Sequence, residues 1–384
     1  MIAWLLIAVL VPASGVLAQA CSNFTIDSIE KLQAARQCPE IDGDVVVGPY
    51  LREVNLDGIQ RIHGSLVTME VCAWDRPKGC KDEYPLEIIS SSTLTAVDEI
   101  QIIWNANLRN ISLPNLKAVE TDFMIHYLEN LEYLDITGLE TVGGFTLRVP
   151  SLTTLKHNGL RNITGYGRNA TGYGSYSNET SLVLATGLES LDSVFRYPLS
   201  VFWVAIEVNS KNKEIHFGFA NTTLLQFEGQ PYGEDTYPGA GNVTIIFGGH
   251  DAENVHVDYL RCRNATNGLK RQESLNRLTV DEINISGNDY LEHLDLPFDQ
   301  LGELYVSYAP NLRWLSNHPQ ASEWTDFALD MDAPYHYNIS RSPLLNLSSE
   351  YMIDEAGNTV RSWYWPQKNI KKIDLGAIMT DAFL

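Results

Sequence analysis

Five cysteines are the residues of this chain whose chemistry the sequence indicates most directly. In an oxidising compartment such cysteines form disulfide bonds. Proximity along the chain favours the pairs Cys21–Cys38 and Cys72–Cys80. Cys262 is then left unpaired, and we expect it to be buried. A zinc site is the alternative, but no histidine stands at ligand spacing beside either pair.

A second group of residues could carry acid–base chemistry. His250 and Asp251 are adjacent, and Glu253 follows two positions later. Parallel β-helices include enzymes that cleave polysaccharides, but those enzymes align several carboxylates on one face. We favour the alternative, a solvated turn, and interpret Asp281 and Glu282 as rim charges. The sequence has no HExxH, G-x-S-x-G or P-loop motif. We therefore predict no catalytic residue, no metal site and no cofactor.

A third group could bind sugar. Trp363, Tyr364 and Trp365 are consecutive, and adjacent aromatic rings can stack on the faces of sugar rings. The alternative, which we favour, is that these three side chains cover the last turn of the fold as a C-terminal cap.

Residues 1–20 have the features of a secretory signal peptide. Met1 to Leu17 is an apolar stretch, and Ala18-Gln19-Ala20 places small residues at the two positions that a signal peptidase recognises. A membrane anchor is the alternative, but the stretch is short and ends in a cleavage pattern. We expect a secreted, extracellular chain without a membrane span.

Acceptor sites for N-glycosylation support the same compartment. The Asn-x-Ser/Thr pattern without proline occurs at eleven positions. These are Asn23, Asn110, Asn162, Asn169, Asn178, Asn221, Asn242, Asn264, Asn284, Asn338 and Asn346. This density indicates a eukaryotic secretory route and a heavily glycosylated surface, with the glycans lying outside the strands.

The net charge of the chain argues against two classes of binding partner. The formal net charge is -21, so the chain repels nucleic-acid phosphates and anionic membrane surfaces. We expect neither as a partner.

A hydrophobic repeat of 21 to 23 residues must position all of these groups. Val46 and Val67 lie 21 apart, and Ile102, Ile125 and Leu147 continue at steps of 23 and 22. Two further series keep the step: Leu108, Leu131 and Leu152, and Leu116, Leu139 and Leu160. A fixed step of this size indicates a solenoid, whose coils bury their apolar faces against each other. Such a fold offers long flat faces for binding.

The repeat also predicts the domain organisation. Residues 25–37 are expected to form an amphipathic helix that covers the open N-terminal end. Residues 166–180 are rich in Gly, Asn, Tyr and Ser and are interpreted as a linker. We therefore predict a mainly β chain of two right-handed, parallel β-helix or leucine-rich-repeat-like lobes, at 21–165 and 181–384, with a capping helix.

The opening segment carries a family resemblance. Cys21, the run Cys38-Pro39-Glu40-Ile41-Asp42-Gly43-Asp44-Val45-Val46-Val47 and the recurring Leu-x-x-Ile/Leu…Leu-x-x-Val pattern resemble the receptor L-domain. That domain is the parallel β-helix-like lobe of insulin- and epidermal-growth-factor-type receptors. Two lobes, many sequons and no cysteine-rich module are most similar to the fungal cell-wall organisation and sporulation-specific wall glycoproteins. The resemblance covers most of residues 21–350.

The resemblance implies a non-enzymatic secreted glycoprotein that acts in fungal cell-wall or spore-wall organisation, with wall polysaccharide or wall glycoproteins as partners. A ligand-binding receptor ectodomain or soluble decoy is the first alternative, and a polysaccharide-active β-helix enzyme is the second. Family members usually carry a Ser/Thr-rich stalk and a C-terminal signal for a glycosylphosphatidylinositol anchor. This sequence ends at Leu384 without an apolar tail of that kind. Two alternatives stay open: either this member is freely secreted, or this sequence lacks the natural end that would carry the anchor signal.

The sequon density generates a first prediction. Treatment of the secreted protein with a peptide-N-glycosidase, which hydrolyses the amide bond between asparagine and the glycan, is expected to lower its mass at several sites, including Asn162. Peptide mapping after the treatment locates the sites, since released asparagine becomes aspartate. Little or no change in mass would contradict the secretory interpretation.

Overall fold

The fold is known from a computed structural model, whose description is confined to part of the chain. Backbone and side chains are described for 21–69, 85–165, 180–209, 211–229, 243–249, 251–286, 291 and 294–301. For 293, 302–307 and the short strands beyond them only the backbone is described. The 1–20 segment, Cys72, Cys80 and the Trp363–Trp365 run lie outside the described residues.

One helix and twenty-nine strands are found in the described part of the chain, so the fold is mainly β. The helix is α1 (Ile29–Ala35). The first half holds the strands β1 (Phe24–Ile26), β2 (Glu40–Ile41), β3 (Val45–Val47), β4 (Glu53–Asn55), β5 (Arg61–Thr68), β6 (Ile88–Ser90), β7 (Ala96–Ile103), β8 (Asn110–Ser112), β9 (Ala118–His126), β10 (Tyr133–Asp135), β11 (Thr141–Val149), β12 (Thr154–Lys156) and β13 (Asn162–Ile163). The second half holds β14 (Ser181–Thr186), β15 (Ser200–Glu207), β16 (Glu214–Phe217), β17 (Asn221–Glu228), β18 (Val243–Phe247), β19 (Asn254–Arg263), β20 (Thr266–Arg271), β21 (Arg277–Ser286), β22 (His293–Leu296), β23 (Gln300–Ser307), β24 (Trp314–Asn317), β25 (Glu323–Trp324), β26 (Phe327–Ala328), β27 (Glu350–Ile353), β28 (Thr359–Ser362) and β29 (Ile373–Asp374).

The strands stack in parallel as a β-solenoid of about 10 turns, and among the described strands only β27 and β28 pair antiparallel. A long sheet of 15 strands follows the order β1-β3-β5-β7-β9-β11-β14-β15-β17-β19-β21-β23-β25, with β2 and β13 at its side. Two shorter sheets form a second wall, β4-β6-β8-β10-β12 and then β16-β18-β20. From β5 to β12, each turn therefore contributes one strand of eight or nine residues and one strand of three residues.

The core is built from inward columns that run along the long sheet. One column passes through Leu66, Ile100, Phe123, Phe145 and Leu182, and all five are fully buried. Phe123 and Phe145 stack with ring centroids 5.1 Å apart. Because side chains alternate along a strand, the strand residues that alternate with these core residues point outward. Every turn thus shares its apolar face with its two neighbours.

The predicted repeat is confirmed, since its members are register partners on neighbouring strands. One pair, however, lies on the outward face of the sheet and not in the core. Ile102, Ile125 and Leu147 are direct register partners and are buried. Val46 and Val67 are partners too, but they are only half-buried and belong to the neighbouring outward column. The core positions beside Val46 are Val45 and Val47, because a shift of one residue moves a side chain to the other face. The six leucines of the two other series are all fully buried.

The N-terminal helix is shorter than predicted. Residues 24–26 form β1 instead, which pairs with β3. The helix starts after Ser28, whose side chain accepts a hydrogen bond from the backbone N–H of Lys31 and caps the first turn. Leu32 and Ala35 join the core, whereas Ile29 is 58% exposed.

The long sheet continues across the predicted linker. β11 and β14 are register partners, from Phe145 with Leu182 to Val149 with Thr186. The linker itself, apart from Thr180, lies outside the described residues, so its interpretation and the two-lobe division stay predictions.

Two glycines allow the first coils to approach closely. Gly43 has a φ of +131°, which favours glycine. A Cβ placed on Gly64 would stand 2.6 Å from the carbonyl carbon of Gly43. The 21-residue step from Gly43 to Gly64 therefore has a packing cause.

Leu131 tests the shared core. Leu131→Asp places a charge at a position that is 0% exposed, which costs several kcal/mol, so we expect no folded, secreted protein. Leu131→Ala is expected to fold with its free energy of unfolding lowered by about 2–5 kcal/mol, measured by urea denaturation. Glu132→Gln, at the exposed neighbouring position, is the control and should behave as the wild type. A folded, secreted Leu131→Asp protein would contradict the solenoid core.

Candidate functional site

The cysteine prediction is confirmed as far as the described residues extend. Cys21 and Cys38 form a disulfide, with their Cα atoms 5.7 Å apart. Cys262 is unpaired and fully buried, and its burial raises the pKa of its thiol far above the ordinary value. Such a thiol is not a reactive nucleophile. The Cys72–Cys80 pair stays a prediction.

Of the His250, Asp251 and Glu253 cluster and the Trp363–Trp365 run, the structure describes two residues. Asp251 and Glu253 are both exposed in the turn before β19, and His250 lies outside the described residues. Trp363, Tyr364 and Trp365 also lie outside them.

Six of the eleven sequon asparagines are described. Asn23, Asn162 and Asn221 are exposed, whereas Asn110, Asn264 and Asn284 are half-buried. Four of the six lie within strands, namely Asn110, Asn162, Asn221 and Asn284. The expectation that the glycans lie outside the strands concerns which sequons are occupied, and it stays a prediction. Asn169, Asn178, Asn242, Asn338 and Asn346 lie outside the described residues.

One group of side chains has the spacing of metal ligands. His256 Nε2 lies 2.9 Å from Asp258 Oδ1 and 4.0 Å from Asp281 Oδ2. The three ligand atoms lie within 4.8 Å of one another, and Asp281 is exposed. His256 Nδ1 is 2.7 Å from Thr279 Oγ1, which fixes the ring. The same geometry is that of a surface ion pair, and we assign no metal to it.

The arrangement with the strongest indication of function lies at the corner that follows β7 and β9. We call Trp104, His126 and Tyr127 the aromatic corner. The Trp104 and Tyr127 rings stack with centroids 4.0 Å apart and planes 16° apart. His126 stacks on Tyr127 at 3.5 Å. All three side chains are half-buried, so the stack presents part of its surface to solvent.

The backbone at this corner is strained. Trp104 has a φ of +53° and Tyr127 a φ of +55°, in the left-handed region that bulky side chains rarely adopt. Asn264, at the end of β19, adopts the same conformation with a residue that tolerates it. A left-handed residue with a Cβ costs roughly 1–2 kcal/mol. Strain of this kind clusters at ligand-binding positions, where the surrounding structure holds it.

Charged groups continue the outward column that begins at His126. Its register partner is Arg148, and the next two positions are Ala185 and Glu207. Arg148 reaches across the small Ala185 to Glu207, with Nη2 to Oε1 at 3.7 Å. Burial, and then the charge of Arg148, lowers the pKa of His126 to about 4, so the imidazole is neutral at physiological pH. A flat aromatic surface thus stands beside a guanidinium and a carboxylate.

A carboxylate pair lies at the other end of the same strands. Glu99 Oε2 accepts a hydrogen bond from Ser65 Oγ at 2.8 Å, and Glu99 Oε1 accepts one from Gln101 Nε2 at 2.7 Å. Asp122, on the neighbouring strand β9, is 9% exposed. Burial, and then the charge of Glu99, raises the pKa of Asp122 to about 7. Asp122 is therefore partly protonated near neutral pH.

Sequence reasoning did not find the aromatic corner. Trp104 and Tyr127 are 23 residues apart, which is the repeat step, so aligning the coils would have placed the two rings together. The left-handed backbone carries no sequence signal at Trp or Tyr. Asp122 was missed because its burial depends on the register of three strands.

Comparison of the chain with protein-family models, with curated proteins and with solved structures gives no match. Among the described residues, no helix has the length and apolar character needed to cross a membrane.

Asp122 makes the stability of the fold depend on pH. Between pH 3.8 and about 7 the folded state keeps a proton that the unfolded state has released, so stability falls as the pH rises through this window. The slope is at most about 1.4 kcal/mol per pH unit. Asp122→Asn removes the effect, and we expect this variant to be more stable than the wild type at pH 8 and similar to it at pH 4.

The measurement is urea denaturation of both proteins at each pH. His126 and His157, whose pKa values burial lowers to about 4, act in the opposite direction in both proteins, so the difference between them isolates Asp122. An Asp122→Asn protein less stable than the wild type at pH 8 would show that the ionised carboxylate stabilises the fold, which contradicts a raised pKa for Asp122.

Proposed function

We propose that the chain is a secreted, N-glycosylated protein of a fungal cell or spore wall, which binds wall polysaccharide through the aromatic corner without catalysing a reaction. The observation that carries the proposal is the stacked, strained pair Trp104 and Tyr127. Aromatic rings supply the flat, apolar surface that packs against the face of a sugar ring. The neighbouring Arg148 and Glu207 supply a donor and an acceptor for sugar hydroxyls.

The surroundings of the corner support a polymer as the ligand. The long sheet is a repeating surface along which an extended polymer can lie. Other solenoid proteins use their extended faces in the same way. The net charge of -21 opposes anionic polymers and favours a neutral glucan, mannan or chitin chain. The eleven sequons fit an extracellular surface.

The finer architecture is part of the proposal. We infer that the fold is of the receptor L-domain type and that α1 closes the N-terminal end of the stack. Two observations support the cap. α1 packs against β1, the first strand of the long sheet, and the Cys21–Cys38 disulfide joins the residues that flank β1 and α1. A solenoid needs such closure because its terminal turn has only one neighbour.

Two other functions each have an observation in their favour. A receptor-type ectodomain would use the outward positions Trp203, Leu224 and Tyr259, which are adjacent register partners and half-buried. A polysaccharide-cleaving enzyme would use Asp122 and Glu99, since a carboxyl group with a raised pKa beside a second carboxyl group is an arrangement that glycoside hydrolysis uses. We rank both below wall binding. Loss of catalysis in Asp122→Asn would favour the enzyme, provided that the wild type cleaves a wall polymer.

Replacement of the corner aromatics tests the proposal. Trp104→Asn and Tyr127→Asn each relieve the left-handed strain, which offsets the loss of a ring stack of about 0.5–1.5 kcal/mol. We therefore expect each variant to unfold within a few degrees of the wild type but to lose at least tenfold in affinity for an insoluble wall polysaccharide. Co-sedimentation with purified β-glucan, chitin and mannan measures the affinity.

Two controls accompany this experiment. Tyr50→Ala removes a 58% exposed aromatic side chain outside the sheets and should bind as the wild type does. Tyr127→Phe keeps the ring and should retain binding. Wild-type affinity in Trp104→Asn, or a wild-type protein that binds none of the three polymers, would contradict the proposal.

A further inference from the structure

The second wall of the solenoid is interrupted at one turn. β12 is the last strand of the five-stranded sheet and pairs only with β10. The next turn, which contains β14, contributes no strand to this wall among the described residues. The wall resumes one turn later with β16, in a separate sheet.

The missing strand is replaced by the segment that begins at Gly187, directly after β14. This segment is tied to the turn that follows it. Asn209 Nδ2 donates to the carbonyl oxygens of Thr186 and Leu188. Asn212 Nδ2 also donates to the carbonyl oxygen of Leu188, at 2.7 Å. A cavity of about 360 Å³ lies between this segment and β12. Its volume is at the lower end of the range for small-molecule sites, about 300–1,000 Å³.

The edge of β12 turns backbone groups toward this cavity. The Thr154 N–H donates to Glu132 O, and Lys156 O accepts from the Ile136 N–H, so both residues direct their polar backbone groups toward β10. Successive residues of a parallel strand alternate in this respect. Leu155, which lies between them and lines the cavity, therefore directs its N–H and C=O outward.

The remaining lining has the chemistry of a sugar site. Thr153, Thr154, Ser190 and Ser193 bring four hydroxyl groups. Thr153 Oγ1 donates to the carbonyl oxygen of Glu132 and can still accept, and Ser190 Oγ accepts from the Asp192 N–H and can still donate. Glu189 and Lys211 bring an exposed acceptor and an exposed donor. The side chains of Leu155 and Leu188 add a small apolar surface, against which the carbon face of a sugar ring can pack.

We propose that this cavity binds one or two sugar units of a neutral polysaccharide, as a second subsite in the same row of coil corners as the aromatic corner, since both directly follow strands of the long sheet. The inference rests on the proposed function for its ligand class. Tyr127 follows β9, and the cavity begins at Gly187, which follows β14, two strand positions further along the long sheet. At about 4.8 Å per strand, that is about 10 Å along the solenoid axis, a distance that a short oligosaccharide can span.

A peptide strand fits the cavity less well than a sugar. Strand addition requires a row of free N–H and C=O groups along an edge. β12 has three residues, and only the central one, Leu155, directs its backbone outward. A sugar instead uses many separate hydroxyl groups, which matches hydroxyl side chains and a charged pair.

Titration with short sugars tests the inference. Laminaribiose, cellobiose, mannobiose and chitobiose are titrated into the full chain by isothermal calorimetry, and we expect at least one to bind. Lys211→Met and Glu189→Gln are each expected to weaken that binding at least fivefold, and Thr154→Trp, which fills the cavity, should abolish it. Lys213→Met is the matched control, since Lys213 is exposed two residues away and does not line the cavity.

The outcomes separate this inference from the proposed function. Disaccharide binding that survives in Trp104→Asn but is lost in Thr154→Trp, with unchanged unfolding temperatures, supports the cavity as a second subsite. Polymer binding by the wild type without any disaccharide binding, or disaccharide binding that Thr154→Trp leaves intact, overturns it. A wild type that binds neither polymer nor disaccharide contradicts both. Binding of an extended peptide that Thr154→Trp abolishes would assign the edge to strand addition instead.

Discussion

The apolar face that each coil shares with its neighbours is the constraint on which the rest of this structure depends. A single coil of about 22 residues has no interior of its own, and its strand N–H and C=O groups find partners only in the coils before and after it. The inward column from Leu66 to Leu182 meets both requirements at once, since register partners are also packing partners. Every outward feature is therefore positioned by side chains that never reach the surface.

The same constraint explains where strain and openings are tolerated. The ladders on both sides of the corner fix Trp104 and Tyr127 in the left-handed region, although neither residue prefers it. Where a coil omits one of its two strands, as after β14, the long sheet still holds it in place, and a cavity forms without loss of the stack. A strained backbone or a cavity is thus tolerated at the surface because the inward column of core side chains continues without a break.

The fold was more predictable than the site, for a physical reason. The repeat consists of large aliphatic residues, so Ile102, Ile125 and Leu147 could be placed in register from their spacing alone. The face on which Val46 lies could not be predicted, because three consecutive valines show no alternation of polar and apolar residues. The aromatic corner and the Asp122–Glu99 pair depend on neighbours in other coils, and backbone conformation and burial become visible only once the coils are stacked.

Continuity between β11 and β14 is the claim on which both the core column and the cavity depend, and hydrogen exchange of the backbone amides tests it directly. If the coils stack as described, the amides of Ser181–Thr186 and Thr141–Val149 are bonded on both sides of each strand and should exchange as slowly as those of Ala118–His126. Mass spectrometry of peptides from the native, deglycosylated protein gives the rates. Fast exchange in Ser181–Thr186, beside slow exchange in Ala118–His126, would show an open edge at this point and contradict a single continuous stack.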